Sequence, residues 1–213
     1  MNTTPTAEDR RPLKSRSLGW VRRLAATLAR SGVTPNGIST AGVVFAAVGC
    51  GLLLASAHGW LPTGICFLAG AILVQARLMC NLLDGLVAVE GGKKSKGGDL
   101  FNEIPDRIED TLFLAGAGYA CGHAGLGWFC AVLAVTTAYI RAFGASLGHG
   151  QDFGGPCAKP QRMALLTAGL VVGGVTAFFR TSLNPLAWAL YVVAAGTLFT
   201  AVLRVRRLYL RSK

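Results

Sequence analysis

Six stretches of this chain are apolar for long enough to cross a lipid bilayer, and that length decides what it can fold into. They cover about residues 37–57, 60–89, 100–120, 125–147, 161–179 and 185–203. A helix needs roughly 20 apolar residues to span the hydrocarbon core. Inside that core every backbone donor and acceptor must be satisfied within the protein. Composition agrees: only 15% of residues are charged, against roughly 25% in soluble proteins. The expected fold is an all-α integral membrane protein of six transmembrane helices. Gly-rich and Ala-rich spans such as AGVVFAAVGCG predict close helix packing. The 60–89 run is longer than one crossing requires, so its last turns, from Asp84 to Ala88, should project to the membrane surface.

The basic residues orient these spans. The formal net charge is +11. Of the 21 Lys and Arg, only Arg180 falls in a connection on one side, while Arg77, Arg107 and Arg141 lie within helical runs. All the others sit in the N-terminal segment, the Lys93 loop, the loop with Lys159 and Arg162, or the C-terminal tail. Positive residues stay cytosolic, so both termini and the Lys93 loop are expected in the cytoplasm, on a bacterial inner membrane. The basic residues adjoin apolar runs and form no aromatic-interleaved stripe, which points to membrane lipids as partners and not to nucleic acid. Residues 1–13 are expected to be disordered. Residues 14–31 read as an amphipathic helix with Leu18, Val21, Leu24, Ala25 and Leu28 on one face, lying on the membrane surface. Thr34 and Pro35 then open a domain over 34–210, as N-cap and first helical residue. The six cysteines show no CxxC or zinc-type spacing and read as small packing residues.

Acidic residues are concentrated elsewhere. Seven of the ten, Asp84, Glu90, Asp99, Glu103, Asp106, Glu109 and Asp110, fall within 81–110, between apolar runs. Carboxylates beside membrane spans are costly unless they bind something. Asn81, Asp84 and Ala88 share one helix face by their spacing, and Gly98, Asn102 and Asp106 share another. The GGKKSKGG loop between the two runs is short, so the two helices are expected to be antiparallel neighbours with their oxygen-bearing faces across a cleft. Clusters of hard oxygen ligands suit Mg2+.

The stretch Asn81-x2-Asp84-Gly85-x2-Ala88-Val89-x8-Gly98-x3-Asn102-x3-Asp106 resembles the signature of the CDP-alcohol phosphatidyltransferases, D-x2-D-G-x2-A-R-x8-G-x3-D-x3-D. Every spacing matches. Asn81 and Asn102 stand where the family has aspartates, and Val89 where it has arginine. GVTPNGIST resembles the segment that opens the family's first span. The resemblance implies an enzyme that displaces CMP from a CDP-linked lipid, usually CDP-diacylglycerol, by an alcohol hydroxyl. It implies Mg2+ or Mn2+ held by Asn81, Asp84, Asn102 and Asp106, and Asp106 as general base; Glu103 could compensate for the two asparagines as an added ligand, or lie on a solvated face. Gly85, Ala88 and Gly98 would let the nucleotide approach the backbone. Arg141, with Lys159 and Arg162, would bind phosphate. The family is often homodimeric.

Each role has a plainer rival. Asp84 and Asp106 could form structural ion pairs with Arg77 or Arg107. Gly85, Ala88 and Gly98 could serve helix packing alone. The two asparagines and Val89 fit a degenerate member that binds nucleotide or lipid without turnover. A small transporter is the third alternative, but its charges would line the midplane, whereas here they gather at one membrane face.

Overall fold

The computed structural model describes residues 19–90, 98–179 and 182–213, without the side chains at 89–90, 98–99 and 101–102. The expectations for residues 1–18, the Lys93 loop, Arg180, Val89 and the Asn102 side chain therefore lie outside the described residues. Among those described, all regular structure is helical: α1 Gly19–Arg30, α2 Pro35–Ala57, α3 Thr63–Glu90, α4 Gly98–Ala120, α5 Ala124–Ser146, α6 Lys159–Phe178 and α7 Pro185–Arg211. Five of them, α2, α3, α5, α6 and α7, are long and apolar enough to cross a membrane. Helix α4 matches α2 and α5 in length, at 23 residues. It falls outside that group because Glu103, Asp106, Arg107, Glu109 and Asp110 crowd its first half.

Local chemistry sets several boundaries. The Thr34 hydroxyl accepts from the Gly37 N–H at 3.1 Å, and Pro35 opens α2. Asn184 caps α7 in the same way, accepting from Ala187 N–H at 3.2 Å ahead of Pro185. Gly59 (φ 70°) and Gly122 (φ 79°) occupy the left-handed region just past the ends of α2 and α4, where glycine avoids the Cβ penalty. Helix α7 continues to Arg211, so the basic tail is an extension of the last apolar helix.

Helices α2, α3, α6, α7, α5 and α4 pack in that cyclic order and close a ring. One expectation is corrected here. Helices α3 and α4 are not side-by-side neighbours; α2 packs extensively on both, and α3 and α4 touch sparsely. The short connection joins two helices that face each other from either side of α2. The small residues of α2 allow this. A Cβ on Gly42 would lie 2.5 Å from Glu109 Oε1 and 3.5 Å from Cys80 Cβ, and one on Gly49 would collide with the Phe113 ring. Gly42→Ala is expected to lose about 1–3 kcal/mol of stability, the usual cost of overpacking. Thermal unfolding in detergent, followed by tryptophan fluorescence, checks this; an unchanged midpoint would mean Glu109 yields freely.

Helix α1 lies on α3. Val21 and Ala25 are fully buried, in a cluster with Ile38, Leu82, Leu83 and Val87, while Trp20 and Leu24 remain exposed. The segment of α3 that carries Asp84 is thus braced by α1 on its outer side.

Candidate active site

The starts of α2, α4 and α6 and the ends of α3, α5 and α7 meet at one end of the ring. Cross-contacts fix this: Ser39 with Asp84, Lys159 with Asp106, Arg141 with Glu103, and Arg204 with the carbonyls of Thr137 and Gly154. Six helix ends therefore bring their polar residues to one face.

Asp84 sits on α3 and is 4% exposed. Its Oδ2 accepts from the Ser39 hydroxyl at 2.8 Å, and its Oδ1 accepts from the Gly85 N–H. Among the described residues its partners are neutral donors. Asp106, on α4, is in a different setting. Its Oδ1 accepts from Asn81 Nδ2 and lies 2.5 Å from Lys159 Nζ and 3.5 Å from Arg77 Nη2. Its Oδ2 accepts from Arg107 Nη2 at 3.4 Å. The Asp106 side chain is 15% exposed, so it is held yet open to a substrate.

Below this pair lies a buried ion network. Arg77, fully buried, donates through Nε to Glu109 Oε2 and through Nη2 to Asp110 Oδ1 at 2.6 Å and to the Asp106 carbonyl at 3.2 Å. Arg162 Nη2 donates to Asp110 Oδ2 at 3.0 Å. Charges with almost no solvent access persist only when paired and hydrogen-bonded; these carboxylates and guanidiniums pair with each other, while among the described residues Arg77 Nη1, Glu109 Oε1 and Arg162 Nε and Nη1 are buried without a hydrogen-bond partner. The network spans α3, α4 and α6 and fixes the height of Asp106 relative to Asn81.

The other candidates fall around this centre. Glu103 lies on Arg141, with both carboxylate oxygens 2.6 Å from Nη2, and on Arg107 at 3.2 Å. Arg141 also reaches Gln151 through Nη1 and stacks over the Phe153 ring at 5.2 Å. Gly85 and Ala88 are half-buried on α3, and Gly98 is the first residue of α4. Arg162 is committed to Asp110, and Arg204 is nearly buried with its donors on backbone carbonyls. Sequence reasoning missed Ser39 as the partner of Asp84 and the Arg77–Glu109–Asp110–Arg162 network. The spacing held a clue: Arg77 is one turn before Asn81, and Asp110 one turn after Asp106.

The donor set suits a hard cation. Among the described residues no three His, Cys, Asp or Glu side chains gather to hold a metal unaided. The Asn81 amide does meet Asp106, on which an ammonium already sits, and Asp84 lies one turn from Asn81 on the same helix. The site thus fits a divalent ion that completes its coordination with amide, water or phosphate oxygens.

Curated relatives cover most of the chain. A phosphatidylinositol phosphate synthase of Mycolicibacterium smegmatis is 26% identical over 195 residues, 86% of this chain and 81% of that protein. One of Streptomyces avermitilis is 28% identical over 194 residues, 85% and 74%. The Mycobacterium tuberculosis phosphatidylinositol phosphate synthase, solved with manganese and citrate, superposes with a TM-score of 0.73 at 24% identity over 89% of this chain and 88% of that one. The same enzyme with CDP-DAG bound gives 0.72 over 89% and 93%. No family model matches the chain. Along most of its length this chain is similar to phosphatidylinositol phosphate synthases, and it shares the fold of the Mycobacterium tuberculosis enzyme.

Proposed function

We propose that this chain transfers a phosphatidyl group from a CDP-linked lipid, CDP-diacylglycerol, to the hydroxyl of an alcohol and releases CMP. The observation that carries this reading is that Asp84 and Asp106 both lie at the polar end of the helix ring, in the spacing of the family motif. A divalent ion, Mg2+ or Mn2+, held by Asp84 and the carbonyl oxygen of Asn81, would neutralise the diphosphate. The chain's own residues do the rest. Asp106, aligned by Asn81 and Lys159, accepts the proton of the acceptor hydroxyl. The acceptor oxygen bonds to the phosphorus that carries the diacylglycerol. The bridging P–O bond breaks, and CMP leaves with the electron pair. Positioning and fixed charge supply most of the catalysis of such a transfer. Gly85 and Ala88 offer a small-residue surface for the nucleotide, as Gly98 does at the start of α4, and Arg141 offers a guanidinium to a phosphate.

Glu103, an added metal ligand in the sequence reading, is engaged with Arg141 and Arg107. We expect Glu103→Gln to change the concentration of substrate needed for half-maximal CMP release by several-fold and to leave the Mg2+ requirement unchanged. A shifted Mg2+ requirement in that titration would return Glu103 to the metal. CMP release by the purified protein, across a set of alcohols, tests the activity itself. No release with any alcohol at any Mg2+ concentration would favour a degenerate member that only binds.

The membrane placement belongs to this reading. Helix α4 serves as the sixth span, with Glu109 and Asp110 turned to the interior and buried. Helix α1 lies at the interface, and the polar end of the ring faces the cytosol. Single cysteines introduced at Lys93 are expected to resist membrane-impermeant labelling in intact cells, and those at His58 to react. The reverse pattern would invert the topology. Copies of the chain pair into a homodimer on this reading; a single-chain mass in nanodiscs would exclude it.

A further inference from the structure

We infer that the site is built for one divalent ion, with the ammonium of Lys159 standing permanently on Asp106 as the second cation. This rests on the metal-dependent transferase reading above and deepens it. Both oxygens of Asp106 already face nitrogen donors. Oδ1 meets Lys159 Nζ at 2.5 Å, Arg77 Nη2 at 3.5 Å and the amide of Asn81, and Oδ2 meets Arg107 at 3.4 Å. A metal ion seated on the same oxygens would be repelled by three neighbouring cations.

Lys159 is held there by the fold. It is the first residue of α6, and its side chain is only 18% exposed. One turn later Arg162 is locked to Asp110 at 3.0 Å, with both side chains at most 2% exposed. Lys159 and Arg162 on α6 thus meet Asp106 and Asp110 on α4 as two rungs of a ladder, and the lower, buried rung sets the register of the upper. Arg77 joins the same rungs from α3. Asp84 differs: among the described residues its hydrogen-bond partners are the Ser39 hydroxyl and the Gly85 N–H and it makes no ion pair, which leaves its carboxylate for an external ion.

The sequence departures follow the same logic. A motif with four aspartates carries charge enough to balance two divalent ions, of the kind that clamp a phosphoryl transfer about 3.5–4 Å apart. Here Asn81 and Asn102 leave two aspartates, and Lys159 already neutralises one of them. With a resident ammonium on Asp106, a second divalent ion has neither the charge nor the seat. The asparagines are then matched to Lys159, and the amide of Asn81 donates to the carboxylate that Lys159 neutralises.

Counting bound Mn2+ by electron paramagnetic resonance on the purified full chain tests this without reference to turnover. The expected result is one Mn2+ per chain, with no exchange coupling between paired ions. The variant Lys159→Met with Asn81→Asp and Asn102→Asp is expected to take up a second Mn2+ and to show coupling. If it keeps one, Lys159 does not hold the second seat. Two Mn2+ per wild-type chain would overturn the inference and leave the metal-dependent transferase standing, with Lys159 reduced to a placeholder. No bound Mn2+ at all would overturn both.

Discussion

Asp106→Asn is expected to lower CMP release by about 10²- to 10⁴-fold, the usual contribution of a positioned general base. The amide is nearly isosteric, so the protein should remain folded and inserted. Asparagine keeps an oxygen for the Lys159 ammonium but cannot accept the acceptor's proton. Asp84→Asn is expected to damage turnover as well, through the ion and not the proton. Its loss should be partly recovered at higher Mg2+, whereas the Asp106→Asn loss should not be. Release measured over a Mg2+ series separates the two. Near-normal release from both variants would remove the mechanism.

The largest structural effect is expected at Arg77. This guanidinium is fully buried and binds Glu109, Asp110 and the carbonyl of Asp106. Arg77→Met leaves Glu109 with no cation and Asp110 with Arg162 alone. Breaking a buried pair from one side costs about 3–5 kcal/mol, while replacing both partners with apolar groups is often close to neutral. Arg77→Met should therefore fall sharply in thermal midpoint, and Arg77→Met with Glu109→Met should recover much of it. If the double variant is no better than the single one, Arg77 stabilises chiefly through Asp110 and Asp106. Activity should not return with stability, because the Asp106 carbonyl loses its donor in both variants.

Much of the fold is legible in the sequence because long apolar runs leave little choice: those runs and the Thr34 cap mark the helices. The errors have local causes. The 60–89 run reads as helical from Trp60, but Pro62 disfavours helical backbone in the residue before it, and α3 starts at Thr63. The run beginning at 161 misses the first turn of α6, where Pro160 is tolerated and Lys159 becomes the first residue. That turn matters, because a residue read as a loop charge proves to be the ion partner of Asp106. The adjacency of α3 and α4 is misread because a short connection fixes which ends are near and not which helix packs between them. The glycines of α2 decide that, and their partners, Glu109 and Phe113, are far away in sequence.

The site is legible to a similar depth. Fixed spacing puts Asn81 and Asp84 on one face of α3, because helical periodicity converts sequence distance into a shared face, and the structure joins Asn81 to Asp106 on α4. What the spacing cannot carry is partnership between helices. Ser39 is one of several hydroxyl residues near the start of α2, and nothing local marks it as the donor to Asp84. Glu103 reads as part of the acidic stripe, yet its partner Arg141 lies on α5. Buried charges such as Arg77 and Asp110 stand out in an apolar setting, but which cation meets which carboxylate follows from the ring order.

The most direct measurement is on the products. Purified protein in liposomes would be given CDP-diacylglycerol, Mg2+ and a panel of alcohols, with CMP and new lipid quantified together by mass spectrometry. CMP and a phosphatidyl-alcohol appearing in equal amounts with one acceptor, and both lost in Asp106→Asn, is the predicted result. CMP without a new lipid, or neither product at any Mg2+ concentration, would contradict it.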